Sequence, residues 1–205
     1  IAIMSKAHII ILDLHGEYCW KDGAKKPCSA FDDSIVRYVD ARELEIPYWL
    51  MTYGELCDML IDRTEQSAHN QIAVFRDALN ELKTKEGKVL KLPRATLDTP
   101  IYFDLMELRN KIEAKNGMVA SESTGKQIKF PLTVAFVNFL LLLFSRVNDI
   151  RYDFLLKPKK RNSSDTLSAM LRDFVGLGTP KRPVTVIDLS SVPFDVRPTV
   201  AAQIG

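Results

Sequence analysis

The pattern of apolar positions predicts two buried strands that both end in polar groups. Residues Ile9 to Leu12 form an apolar run, mostly of β-branched isoleucine, that is followed by Asp13, His15, Gly16 and Glu17. Residues 183–191 repeat this pattern, with Asp188 at the end of the apolar run. Continuously apolar runs are typical of parallel strands buried on both faces, and ligands bind outside the carboxyl ends of such strands. We therefore expect an α/β fold with functional side chains along one edge of a sheet.

Between these two strands the apolar positions recur with helical spacing. Thr52 and Glu55 have the spacing of a capping box for a helix from Tyr53 to Ile61, whose inward face carries Leu56, Met59 and Leu60. Apolar residues at three- and four-residue steps predict a second helix from Gln66 to Lys85. Further predicted elements are a strand over 34–40, a helix from Leu105 to Lys115 capped by Asp104, an apolar helix over 132–150 and a helix over 165–174. Irregular segments are expected over 19–34, 86–100 and 116–127.

Composition restricts the function classes only broadly. The chain has 205 residues, 46% of them apolar and 26% charged, which is ordinary for a globular domain. A net charge of +2 does not indicate general nucleic-acid binding, so any basic surface is local. Three cysteines without a C-x-x-C pair favour a reducing cytoplasm. The longest apolar run, Leu132 to Phe144, is shorter than the roughly 20 residues of a membrane span, and no secretion signal is visible.

Both ends of the sequence have the pattern of interrupted elements. Ile1 to Ala7 resembles the tail of a helix, and Thr199 to Gly205 resembles the start of one. An α/β domain whose first strand is preceded by a helix has an earlier strand as well. We therefore expect the sequence to be part of a longer protein.

Two partial motifs suggest enzymatic chemistry. Asp13 and His15 match the first metal-binding element of metallophosphoesterases, but the later Gly-Asp and Gly-Asn-His elements are missing, and His69 lies in a predicted helix. Residues 120–127 approach a phosphate-binding loop, but Ala120 replaces the first glycine and Gln127 replaces the hydroxyl residue. Lys126 is accordingly interpreted as a loop lysine, and Asp188 as a carboxylate that caps the following turn.

A single dense basic cluster occupies residues 157–164. It contains Lys157, Lys159, Lys160 and Arg161. Such a loop can contact phosphates, although a solvated loop is the favoured interpretation, because a few cations specify only electrostatic attraction.

Four short motifs, in order along the chain, resemble the HerA-like ATPases, relatives of FtsK and VirB4. Residues 13–18, Asp-Leu-His-Gly-Glu-Tyr, are similar to the family's Asp-Pro-His-Gly-Glu-Tyr signature, with Leu14 in place of proline. Residues 46–50 resemble its Ile-Pro-Phe-Trp segment, residues 151–154 its Arg-Tyr-x-Phe element, and residues 186–190 its Ile-Asp-Leu-Ser strand. The resemblance spans about residues 8–203.

The resemblance implies a partial RecA-like P-loop NTPase core over 1–205, with about 53–150 as a helical insertion. It implies a hexameric ring that moves double-stranded DNA with ATP and Mg²⁺, working with a nuclease partner such as a NurA-like or sirtuin-like effector in DNA end processing or antiphage defence. The family's N-terminal barrel, phosphate-binding loop and Walker B strand have no counterpart in the sequence.

For the site, the resemblance implies that Asp13 and Glu17 are catalytic carboxylates beside the nucleotide phosphates, with Asp13 reaching Mg²⁺ through water. His15 and Gly16 shape the same turn, and Lys157, Lys159, Lys160 and Arg161 are candidate DNA contacts. We expect the 205-residue chain alone to be inactive. Two alternatives stay open at this point: a metal-dependent phosphoesterase using Asp13 and His15, and a catalytically inactive ring scaffold.

Overall fold

The structure, a computed structural model, describes residues 7–21, 27–40, 43, 45–116, 118–120, 127–129, 134–175, 177 and 181–204. Its strands are β1 (Ile9–Asp13), β2 (Cys19–Lys21), β3 (Pro27–Ser29), β4 (Val36–Asp40), β5 (Met118–Ala120), β6 (Gln127–Lys129) and β7 (Val184–Asp188). Its helices are α1 (Tyr53–Leu60), α2 (Ala68–Val89), α3 (Leu105–Asn116), α4 (Val134–Asn148), α5 (Asp153–Leu156), α6 (Leu167–Phe174) and α7 (Arg197–Ile204). Short 3₁₀ turns span Tyr48–Leu50, Ile150–Tyr152 and Ser164–Thr166.

The chain divides into two compact units. One comprises residues 1–47 and 151–205 and is called the sheet unit, and the other is Tyr48–Ile150, called the helical unit. The prediction that about 53–150 is an insertion within a RecA-like domain stays a prediction.

In the described part of the sheet unit, a three-stranded parallel sheet has the order β1-β7-β4. The central strand β7 buries Val184 to Ile187, as its continuous apolar run predicts. Val36, Val184 and Val186 form a buried cluster against which Ile11 packs. The α/β class and the strands predicted at the two ends of the sequence are confirmed, and the arrangement is compatible with part of a RecA-like core. The predicted burial of β1 is wrong: Ile9 to Leu12 are only half-buried, because among the described strands β1 is paired on one side alone.

Two segments that we expected to be irregular contain short antiparallel strand pairs. Strands β2 and β3 pair with each other inside the predicted loop 19–34, and β5, inside the predicted loop 116–127, pairs with β6, which begins at the last residue of that loop. These three-residue strands are too short to show a clear alternation of apolar and polar residues, and only their pairing identifies them. The interrupted helix predicted at 1–7 and the phosphate-loop-like stretch 120–127 fall mostly outside the described residues.

The helical unit begins with the predicted capping box. The Thr52 side chain accepts a hydrogen bond from the Glu55 N–H, and the Glu55 carboxylate accepts one from the Thr52 N–H at 2.8 Å. Leu56, Met59 and Leu60 of α1 are buried, as predicted. Phe75 of α2 lies in the core of the unit, fully buried.

Helix α2 is longer than the predicted 66–85, because Gly87 lies within the helix and does not end it. A Cβ atom at position 87 would lie 2.6 Å from the Cβ of Ala95, in the connector that follows. Glycine is therefore needed for close packing and not for a turn. Lys83 of α2 is 1% exposed and donates hydrogen bonds to the carbonyl oxygens of Leu97 and Thr99, so that the same connector is held by a buried ammonium group.

The other predicted helices are present with shifted ends. Asp104 accepts a hydrogen bond from the Glu107 N–H and so caps α3, as predicted. The helix predicted from Asp165 begins at Leu167, after a 3₁₀ turn, and the one predicted from Thr199 begins at Arg197. Helix α4 is the predicted apolar helix, and within the described ranges no helix has the length and apolar character to cross a membrane.

Candidate functional site

The three parallel strands end side by side, and each ends in an aspartate. In the register of the sheet Asp13 lies opposite Asp188, and Asp188 lies opposite Asp40. The carboxyl edge of the sheet is therefore formed by these three residues and by the loops that follow them. Such an edge is where ligands bind in open parallel sheets.

The carboxylate of Asp13 is buried beneath the loop that follows β1. It accepts hydrogen bonds from the backbone N–H groups of His15 at 3.3 Å, Glu17 at 3.0 Å and Tyr18 at 2.9 Å. Burial acts to raise the pKa of Asp13, but these backbone donors outweigh it and hold the pKa below its ordinary value. Asp13 is thus a charged anchor for the loop.

Gly16 makes the turn of this loop possible. Its φ of +73° lies in the left-handed region, which residues with a side chain rarely adopt. A Cβ atom at this position would also lie 3.4 Å from the Oγ of Ser190, in the loop after β7. The two loops therefore lie against each other at Gly16.

The other side chains of the loop are open to solvent or lie against a neighbouring ring. Leu14, His15 and Glu17 are exposed, whereas the Tyr18 ring stacks on Phe31 with a centroid separation of 6.0 Å. Glu17 consequently combines a backbone that is fixed by Asp13 with a carboxylate that is open to solvent. This arrangement suits a group that acts on a ligand at the sheet edge.

Asp188 and Asp40 make local contacts of a different kind. Asp188 accepts a hydrogen bond from the Ser190 N–H at 2.8 Å, so it caps the turn as the sequence predicts. Asp40 accepts one from the Ser191 hydroxyl at 3.2 Å. The position of Asp40 at this edge was missed, although it ends the predicted strand 34–40 in the same way as the other two aspartates.

Arg197, at the start of α7, was also missed. Its guanidinium donates hydrogen bonds to the carbonyl oxygens of Val192 at 2.9 Å, Ser190 at 2.8 Å and Leu14 at 3.3 Å. These carbonyls belong to the loops after β7 and β1, which are far apart in sequence. No short motif could have indicated this contact, because it depends on the pairing of the two strands.

The site has limited capacity to hold a metal directly. Within the described ranges, no group of three or more His, Cys, Asp or Glu side chains is placed to hold a metal ion. A carboxylate has about four acceptor positions, and Asp13 uses three of them on its own loop. His69 lies on an exposed face of α2. The exposed Glu17 carboxylate therefore fits a hydrated Mg²⁺ held through water. A contact of Asp13 with that hydration shell stays a prediction, because the Asp13 carboxylate is buried among backbone donors of its own loop. The described residues give no support to a two-metal phosphoesterase centre.

The four basic residues of the 157–161 segment have distinct surroundings. Lys157 forms an ion pair with Asp153 at 3.3 Å, and the backbone N–H of Lys160 donates to Glu45. The Arg161 side chain is only 11% exposed and pairs with Asp173 at 3.1 Å. Lys157, Lys159 and Lys160 are exposed, although Lys157 is paired with Asp153, whereas Arg161 is mostly buried in its ion pair.

Comparison with known proteins gives one family. The sequence profile described as "Helicase HerA, central domain" matches residues 1–204. No match was found among the curated proteins.

Proposed function

The chain belongs to the family of HerA helicase central domains, which are ATPase motor domains, and on this premise we propose that it is part of an ATP-driven translocase of double-stranded DNA. The observation that carries the proposal is Glu17, an exposed carboxylate on a loop that the buried Asp13 fixes at the carboxyl edge of the sheet. A preorganised carboxylate is the group that orients an attacking water in phosphoryl transfer.

Four residues at the end of β1 and in the loop after it have roles in this proposal. Glu17 orients the water that attacks the γ-phosphate, and Asp13 holds the loop and contacts the hydration shell of Mg²⁺. Magnesium, when bound, neutralises charge on the phosphates. His15 and Gly16 shape the turn that places Glu17.

A second segment of the parent protein has to supply the phosphate cradle. The 205 residues contain no Gly-x-x-x-x-Gly-Lys-Ser/Thr motif, whose backbone N–H groups and lysine are the main partners of the nucleotide phosphates. We therefore propose that the parent protein hydrolyses ATP and that the 205-residue chain alone does not.

The proposal includes a hexameric ring of the parent around double-stranded DNA. Lys157, Lys159 and Lys160 are its candidate contacts with the phosphate backbone. Arg161 is a weaker candidate because it is paired with Asp173. A nuclease partner of the NurA-like or sirtuin-like kind, in DNA end processing or antiphage defence, completes the proposed assembly.

The test compares the parent protein with the 205-residue chain. We expect the parent to show magnesium-dependent ATP hydrolysis that double-stranded DNA stimulates, together with displacement of a third strand from a triplex. The 205-residue chain, assayed identically by phosphate release, serves as the inactive control. A parent that assembles into rings without hydrolysing ATP would support the scaffold alternative, and turnover by the 205-residue chain would refute the need for a separate phosphate cradle.

A further inference from the structure

Arg197 occupies a position that its own helix does not favour. It is the first residue of α7, where the partial positive charge of the helix terminus disfavours a cation. The guanidinium nevertheless donates three hydrogen bonds, all to backbone carbonyl oxygens. Its contacts with two loops, and not its helix, therefore account for an arginine at this position.

The three carbonyls divide unequally between the loops. Val192 and Ser190 belong to the loop after β7, whereas Leu14 belongs to the loop after β1 that carries Glu17. Val192 and Ser190 hold the guanidinium in place, and its remaining Nη1 group reaches Leu14. The planar fork of donors in arginine suits such a bridge, whereas the single ammonium of lysine does not.

The same two loops also contact each other directly. The Leu189 N–H donates to the Asp13 carbonyl at 2.8 Å, and the space beside Gly16 is closed by the Ser190 hydroxyl. Asp13 therefore fixes the β1 loop to its own strand, and Arg197 fixes it to the neighbouring loop. These are two independent anchors of one loop.

We propose that Arg197 is a positioning residue for Glu17: it holds the loop after β1 against the loop after β7 and so sets the place of the exposed carboxylate. This inference rests on the proposed ATPase function. Without the hydrogen bond from Arg197 to the Leu14 carbonyl, the groups that bind the nucleotide keep their positions but Glu17 can move. Hydrolysis is then slowed at the chemical step more than binding is weakened.

The experiment uses the full-length parent with Arg197→Ala and Arg197→Lys. Arg37 provides the matched control, since its guanidinium also donates to a carbonyl, that of Asp173, within the same unit. For Arg197→Ala we expect amide exchange over residues 14–18 to rise at least about tenfold, kcat to fall about tenfold, and KM for ATP to stay within about threefold of wild type. Ethylguanidinium should restore both loop protection and kcat in Arg197→Ala, and Arg37→Ala should show neither effect.

Unchanged exchange over residues 14–18 in both Arg197 variants would overturn the inference, as would a rise in KM with kcat intact, which would indicate direct nucleotide binding. Amide exchange over the central strand β7, residues 184–188, confirms that the sheet unit of each variant is folded. If the alanine variant does not fold, Arg197→Lys takes its place in the comparison. A wild-type parent without ATP turnover would refute the proposed function alone, because the exchange comparison still decides whether Arg197 anchors the loop.

Discussion

In their described residues, the sheet unit and the helical unit each bury one charged group among backbone partners, and the charged form is favoured in one and disfavoured in the other. Asp13 is 2% exposed and Lys83 is 1% exposed. The backbone donors around Asp13 lower its pKa and so favour the charged form, whereas burial lowers the pKa of Lys83 to about 8 and disfavours its charged form. The backbone donors around Asp13 thus outweigh the cost of its burial, whereas the two carbonyl oxygens at Lys83 do not.

Asp13 and Lys83 also differ in whether their hydrogen-bond partners belong to the candidate site. The donors to Asp13 come from the loop that presents Glu17, so the stabilisation of the charge and the order of the loop are the same interaction. The two carbonyls around Lys83 come from the connector after α2, which carries no candidate site residue. We therefore expect perturbation of Asp13 to affect activity and perturbation of Lys83 to affect stability alone.

The largest effect is expected for Asp13→Asn. The asparagine side chain has no charge and only one oxygen that can accept hydrogen bonds from the backbone N–H groups of the loop. Its NH₂ group cannot accept the hydrogen bonds that the second carboxylate oxygen accepts. The free energy of unfolding should therefore fall by about 2–3 kcal/mol. In the parent protein, ATP hydrolysis should fall at least about tenfold because the loop loses its anchor. Urea unfolding and phosphate release measure the two effects.

The pH dependence of the same variant gives a control. Because the folded pKa of Asp13 lies below the unfolded value, its stabilisation is present above about pH 4 and is lost as the pH falls through the folded pKa. Wild type and Asp13→Asn should therefore converge in stability at low pH. A constant difference down to pH 2 would contradict the role of the charge.

Lys83 should show a pH dependence of the same sign, but at high pH, because its pKa is also lowered in the folded chain. Its folded pKa of about 8 lies below the ordinary 10.5, so between these values the unfolded chain binds more protons and stability rises with pH. Relative to Lys83→Met, the unfolding free energy of wild type should increase by about 2 kcal/mol over this range. Subtracting the variant removes the contributions of other titrating groups, and a flat difference would show that Lys83 titrates normally.

Gly16→Ala tests the turn of the loop after β1, the loop that Asp13 and Arg197 hold in place. The positive φ should make this substitution cost about 1 kcal/mol of unfolding free energy, with faster amide exchange in the loop. Gly54 provides the control, because it lies in α1 with open space around it, and alanine there should stabilise by about 0.5 kcal/mol. Equal effects of the two substitutions would remove the argument for strain at Gly16.

The smallest effect is expected for Asp188→Ala. Asp188 ends its strand as Asp13 does, but among the described residues its carboxylate accepts a hydrogen bond from the Ser190 N–H alone, so the cost should be about 0.5–1 kcal/mol. Urea unfolding measures this cost. If it equals the cost of Asp13→Asn, the position of the carboxylate in the sheet, and not the number of N–H groups that donate to it, decides its contribution to the unfolding free energy.

The sequence predicted those parts of the fold that depend on local patterns. The apolar runs of β1 and β7, the capping box of Thr52 and Glu55, and the Asp104 cap are each set within a few residues, and all are confirmed. The predicted end of the second helix at Lys85 was wrong, because Gly87 serves the close approach of Ala95, a residue outside the helix, and does not end the helix.

Residues of the candidate site could be identified from the sequence, but the contacts between them could not. The residues of the β1 loop were identified from their motif, and their catalytic roles stay predictions. The burial of Asp13, the alignment of Asp40 and the bridge made by Arg197 depend on strand order, which places β7 between strands that precede it in sequence. Strand order is a property of the tertiary structure, and local patterns do not contain it.

Glu17→Gln in the parent protein tests the central claim most directly. Glutamine keeps the size of the side chain and removes its basicity, so ATP hydrolysis should fall at least about tenfold while ATP affinity stays within about threefold. Glu43→Gln, an exposed glutamate of the same unit, should leave both unchanged. Near-wild-type hydrolysis by Glu17→Gln would contradict the account, since the carboxylate that the loop presents would then have no part in the reaction.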